Sequence, residues 1–141
     1  MDLRPGSAAP GYLGIYSEID VSLDAFPFTG GVTTCESLWM GVPVLSLSGV
    51  RTAGRNAAAL LTSVGLSDWV VNTPEDYLAL AGRVASDLER LATLRAGLRE
   101  RMLATICDAR RFTRELEDAY RAMWKRWCEQ IQKTEIGRAH V

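Results

Sequence analysis

A chain of 141 residues has room for one hydrophobic core, and its 48% hydrophobic and 23% charged content is that of an ordinary soluble globular domain. The formal net charge of −1 gives no bulk attraction to nucleic acid or to an anionic membrane. No apolar run approaches the roughly 20 residues of a spanning helix, and the N-terminus lacks the basic and apolar regions of a secretion signal, so a cytoplasmic location is the default expectation.

In chain order, Asp2 to Arg4 reads as a strand remnant and Gly11 to Ser17 as a short helix with Leu13 and Tyr16 on one face. Ile19 to Leu23 alternates like a strand, which the proline and paired glycines of Phe26-Pro27-Phe28-Thr29-Gly30-Gly31 cannot continue. A helix is predicted over Thr33 to Met40, ended by Gly41-Val42-Pro43, and Val44 to Leu47 is a second strand. The turn-rich Ser48 to Gly54 enters a helix from Arg55 to Ser63, and Trp69 to Val71 is a third strand. Thr73-Pro74-Glu75-Asp76 starts the next helix with a cap, a proline in the first turn and two acids that suit the dipole. From Tyr77 to Gln130 the pattern is almost wholly helical, with Leu78, Ala81, Val84, Ala85 and Leu88 as the expected buried stripe. Strands alternating with helices imply a parallel sheet with crossovers, a Rossmann-like α/β domain followed by C-terminal helices.

Two segments are candidates for chemistry, both at the carboxyl ends of strands, where open α/β sheets bind ligands. In the first, Thr33 with Glu36 three residues on has the spacing of a capping box, and the free N–H groups of that helical turn suit a phosphate. Capping alone is the competing reading. In the second, Gly49 and Gly54 allow close backbone approach, while Arg51 and Arg55 are placed to neutralise phosphate or simply to be solvated. Cys35, in the first helical turn, is either a packing residue or a thiol activated by the dipole. Cys35, Cys107 and Cys128 are far apart and form no C-x-x-C pair, so reduced thiols are expected and neither a disulfide framework nor a zinc site. Trp39 and Met40 read as core. Tyr120, Trp124 and Trp127 form a helical stripe suited to packing. Arg110, Arg111, Arg121, Lys125 and Arg126, interleaved with Glu115, Glu117 and Asp118, read as a solvated face.

The run Thr33-Thr34-Cys35-Glu36-Ser37-Leu38-Trp39-Met40-Gly41-Val42-Pro43, preceded by Asp20-Val21-Ser22-Leu23-Asp24-Ala25-Phe26-Pro27, resembles the C-terminal catalytic region of the SPINDLY / O-GlcNAc transferase family of protein O-glycosyltransferases. Leu60 to Leu66, Leu98 to Leu103 and Ala119 to Trp124 resemble later family segments in the same order, so the resemblance spans roughly residues 1 to 130. It implies the donor-binding half of a two-domain (GT-B) glycosyltransferase. The intact enzyme of that kind is an inverting one, without a metal, that moves a sugar to Ser or Thr of proteins. Its nucleotide-sugar site would use Gly31, Val32, Thr33, Thr34, Glu36, Thr52, Arg55 and Tyr12, with Thr33 and Thr34 on the phosphates and Glu36 on the ribose. The catalytic residues, among them an upstream lysine, would lie in the N-terminal catalytic half, and the protein acceptor would be held by TPR repeats, both outside this chain.

Three departures bear on the donor: Gly31 and Tyr12 stand where the O-GlcNAc transferase branch has histidines, and no His lies near Thr52. UDP-GlcNAc is the donor expected first, with GDP-fucose as the alternative. Residues 131 to 141 read as a tail in which Glu135 to Val141 resembles a translated sequencing adapter, which takes His140 out of consideration, and Met1 reads as an internal start. The chain by itself is therefore expected to bind but not to turn over. A non-catalytic nucleotide- or protein-binding Rossmann module is the alternative from a different class.

Overall fold

The computed structural model describes residues 11–138, and for 132–138 only the backbone. The expected strand at Asp2 to Arg4, and His140, lie outside the described residues. The chain divides into two units, Met1–Cys107 and Asp108–Val141.

Among the described residues, the first element of the first unit is a 3-10 helix, Tyr12–Glu18. There follow β1 (Ser22–Leu23), α1 (Val32–Trp39), β2 (Val44–Leu47), α2 (Asn56–Ser63), β3 (Val70–Val71), α3 (Pro74–Ser86) and α4 (Leu88–Ala104). The strands form a parallel sheet in the order β1-β2-β3, with Ser22 opposite Val44 and Ser46 opposite Val70. The parallel α/β expectation holds. Its strands are shorter than the sequence pattern suggested: Ile19 to Val21 precede β1, and Trp69 closes a 3-10 turn before β3.

The core explains the order of elements. Leu38 from α1, Leu45 from β2, Leu61 from α2 and Leu98 from α4 are fully buried, each worth roughly 1.5–3 kcal/mol of transfer free energy. Parallel strands covered by helices can be apolar throughout, as Val44-Leu45 is. The helix α3 corrects the predicted stripe: Leu80 is buried, with Tyr77, Ala81 and Val84 against the core, whereas Leu78 and Leu88 are 72% and 69% exposed. Ala81 and Val84 of the predicted stripe do face the core, and Leu80 and Tyr77, about one turn from them, complete that face in place of Leu78 and the exposed Ala85.

Local signals at the α3 start act as read. Thr73 Oγ1 accepts the Asp76 N–H at 3.1 Å and Pro74 occupies the first turn. Gly41 (φ 78°) and Gly65 (φ 74°) provide the left-handed residues after α1 and α2. Trp39 is only partly buried: its ring packs on the core on one side and lies 4.8 Å from the Arg99 guanidinium on the other.

The second unit is α5, Ala109–Arg138. Its helix runs past Gln130, where the sequence pattern of a helix fades, and through Glu135 to Arg138. Arg111 pairs with Glu115 and Arg121 with Glu117 and Asp118, as the interleaved charges implied. Trp124 and Trp127 stack with centroids 5.2 Å apart. No helix among the described residues is long and apolar enough to cross a membrane.

Candidate functional site

At the carboxyl edge of the sheet, β1 is followed by Asp24, whose N–H donates to the Leu45 carbonyl at 2.9 Å. The chain then loops through Phe26 to Gly30 and enters α1. The helix starts one residue earlier than the motif suggested, at Val32, with Gly31 as its N-cap and no side-chain cap bond. The capping box is therefore not formed. Thr33 lies inside the first turn rather than before it, because the flexible Gly31 takes the cap position and its carbonyl accepts the first helical bond, from Cys35 N–H at 3.1 Å. The N–H groups of Val32, Thr33 and Thr34 are thereby left without helical partners.

These groups open on a cleft of about 410 Å³ lined by Tyr16, Ser22, Leu23, Asp24, Ala25, Phe28, Thr29, Gly30, Gly31, Val32, Thr33, Thr34 and Val44. A side chain on Gly30 would lie 2.6 Å from Thr34 Oγ1 and 2.9 Å from Thr33 Oγ1, so both hydroxyls converge over that glycine. Hydroxyls and unpaired backbone donors at a helix N-terminus form a ready anion site. Among the described residues Asp24 is the only charged one in the lining, so from these residues a bound phosphate would meet dipoles and hydroxyls rather than a cation.

The expected residues divide. Gly31, Val32, Thr33 and Thr34 are together in the cleft wall. Glu36 and Tyr12 are not among the lining residues and instead pair with each other, the Tyr12 hydroxyl donating to Glu36 Oε1. That bond, ahead of burial, raises the pKa of the Tyr12 phenol. Thr52 and Arg55 belong to the neighbouring loop, where Arg55 Nε donates to the Gly49 carbonyl at 3.0 Å and so braces its own loop. Cys35 is half-buried against the core, and burial pushes its thiol pKa up, against the lowering that the helix dipole suggested.

The two loops are joined. Thr29, 1% exposed, donates its N–H and its hydroxyl to the Ala53 carbonyl at 3.2 and 3.1 Å, and its Oγ1 accepts the Ala57 N–H at 3.4 Å. Asp24 Oδ1 accepts the Gly30 N–H at 2.8 Å and Oδ2 accepts the Ser46 hydroxyl at 2.6 Å. The reading of the sequence missed these supports. Ser46, a lone polar residue in an apolar strand, was the available signal, since a buried hydroxyl requires a partner.

The model of glycosyl transferase family 41 matches residues 16–116. The chain belongs to that family. Among family 41 relatives, the Hordeum vulgare protein named "Probable UDP-N-acetylglucosamine--peptide N-acetylglucosaminyltransferase SPINDLY" is 47% identical over 119 residues, covering 84% of this chain and 13% of the relative. The UDP-N-acetylglucosamine--peptide N-acetylglucosaminyltransferase of Caenorhabditis elegans is 31% identical over 109 residues, covering 77% and 10%. A solved structure, a point mutant of the Thermobaculum terrenum O-GlcNAc transferase, is similar with a TM-score of 0.80 and 43% identity, over 91% of this chain and 25% of that one. This family 41 chain thus spans a small part of the length of each relative.

Proposed function

We propose that this chain forms the donor-binding part of an inverting protein O-glycosyltransferase, which moves GlcNAc from UDP-GlcNAc to Ser or Thr of cytoplasmic proteins. The observation that carries the reading is the turn from Gly30 to Thr34, in which Thr33, the buried Thr34 and three N–H groups without helical partners line a cleft at the carboxyl edge of a parallel sheet. In sugar transfer with inversion, negative charge grows on the departing nucleotide diphosphate. Donors already fixed in direction stabilise it where it develops and need no reorganisation. Because the described residues of the cleft wall include no cation, the balancing positive charge is assigned to the N-terminal catalytic half, as a lysine, with Arg51 and Arg55 of the second loop as further candidates. No metal is required in this reading. Protein acceptors would be held by TPR repeats of the longer protein, and the chain alone would bind without turnover.

The test is calorimetry of UDP binding to the full-length protein. Thr33→Val, which removes a hydroxyl bond to a charged group, is expected to weaken binding by about tenfold or more. Glu36→Ala, which removes the ribose acceptor and frees Tyr12, is expected to weaken it with unchanged helix content. Parent affinity in both variants overturns the assignment. Tighter binding of GDP than of UDP selects the alternative donor, GDP-fucose, which the departures at Gly31 and Tyr12 leave open.

A further inference from the structure

We infer that Asp24 is the positioning residue of the donor cleft: it holds the Gly30–Thr34 turn in its binding shape and makes no contact with the donor itself. The inference rests on the donor-site reading above and deepens it.

Among the described residues Asp24 is the only charged one in the cleft wall, and it carries the wrong sign for a phosphate. A carboxylate beside a developing diphosphate charge opposes binding, so its presence calls for a compensating role. The hydrogen bonds supply one. Both carboxylate oxygens are engaged with the protein, Oδ1 by the Gly30 N–H at 2.8 Å and Oδ2 by the Ser46 hydroxyl at 2.6 Å. Ser46 is fully buried in β2, the middle strand, so Oδ2 is anchored to the centre of the sheet. The backbone of Asp24 is fixed as well. Its N–H donates to the Leu45 carbonyl at 2.9 Å, and its own carbonyl accepts the Tyr77 hydroxyl at 3.3 Å.

Asp24 therefore links β1, β2 and α3 to one N–H of the mobile-type Gly30-Gly31 pair. Glycine has the largest backbone entropy to lose, and a turn made of two glycines would sample many shapes without such a tie. With Gly30 held, Thr33 Oγ1, Thr34 Oγ1 and Asp24 Oδ1 surround the place of its missing side chain, where a methyl group would meet them at 2.9, 2.6 and 3.2 Å. The threonine hydroxyls are thus located by the same glycine that Asp24 locates. Fixing donors before the ligand arrives lowers the ordering cost of binding, and this is where Asp24 acts.

The test uses Asp24→Ala, Asp24→Asn and Ser46→Ala in the full-length protein, with calorimetry of UDP and GDP and hydrogen exchange of residues 28–34. Asparagine keeps both bonds, since its Oδ1 accepts from Gly30 and its Nδ2 donates to Ser46 Oγ, while the negative charge is removed. Asp24→Asn is expected to bind within about threefold of the parent or more tightly, with parent-like exchange. Asp24→Ala is expected to bind roughly tenfold or more weakly, with faster exchange of Gly30 and its neighbours. Ser46→Ala should fall between them, and it carries the comparison with Asp24→Asn should Asp24→Ala fail to fold. Equal loss in Asp24→Asn and Asp24→Ala overturns the inference, because it means that the charge itself is used on the ligand. Parent-like binding and exchange in Ser46→Ala together with parent-like Asp24→Ala also overturns it, and leaves the donor site standing. A parent that binds neither UDP nor GDP overturns the donor-site reading and this inference with it.

Discussion

Replacing Gly54 by alanine tests the junction between the two loops at the carboxyl edge of the sheet. Gly54 is buried, and a methyl group there would lie 3.0 Å from Gly49 Cα and 3.0 Å from the Pro27 carbonyl oxygen, with Gly49 N at 3.4 Å. All three are backbone atoms, so no side chain can rotate aside. The backbone around them is tied: Gly49 N–H donates to the Gly54 carbonyl at 2.8 Å, and Thr29 N–H donates to Ala53 at 3.2 Å. The loops must therefore separate, and overpacking of this kind costs about 1–3 kcal/mol. With ~4–8 °C per kcal/mol in a domain near 100 residues, the loss is easily measured. Gly82→Ala is the internal control. Gly82 is exposed inside α3 with nothing within 4 Å of the added carbon, so the same substitution should stabilise by about 0.5–1 kcal/mol through helix propensity. Neither glycine has a positive φ, so the opposite signs come from packing at one position and helix propensity at the other, with no left-handed backbone involved. Urea denaturation of the parent and both variants, followed by far-UV circular dichroism, reads both signs. Gly54→Ala at or above parent stability would refute the reasoning.

Leu38→Ala empties a fully buried position between α1 and the sheet and should cost about 2–5 kcal/mol in the same denaturation assay. Thr73→Ala removes the oxygen that accepts Asp76 N–H at 3.1 Å and should cost about 1 kcal/mol, with α3 fraying at its start in hydrogen exchange. Burial raises the Cys35 thiol pKa, so its thiolate fraction near neutral pH is below that of an ordinary thiol and grows only at alkaline pH. Iodoacetamide labelling read by peptide mass spectrometry should then modify the exposed Cys107 first and reach Cys35 appreciably only as pH rises.

The parallel α/β class, strand β2 at Val44–Leu47, the start of α3 and the family were legible in the sequence alone, because they rest on short-range chemistry. The short apolar run of Val44 to Leu47 after a helix-ending Gly-Val-Pro, Thr73 before Pro74 and the Thr33 to Pro43 run each act within a few residues of themselves. The buried face of α3 was not legible: Leu78 and Leu80 are equally apolar, and only packing against β2 and α4 selected Leu80. The candidate site divided along the same line. The sequence brought Gly31, Val32, Thr33 and Thr34 together because they are neighbours at one helix start. It could not show that Glu36 is held by Tyr12, 24 positions away, that Gly31 rather than Thr33 caps the helix, or that Asp24 reaches Gly30 and Ser46 at once. Those contacts depend on how far apart chain segments come to rest after the core has closed, and burial of Leu38, Leu45, Leu61 and Leu98 sets that distance.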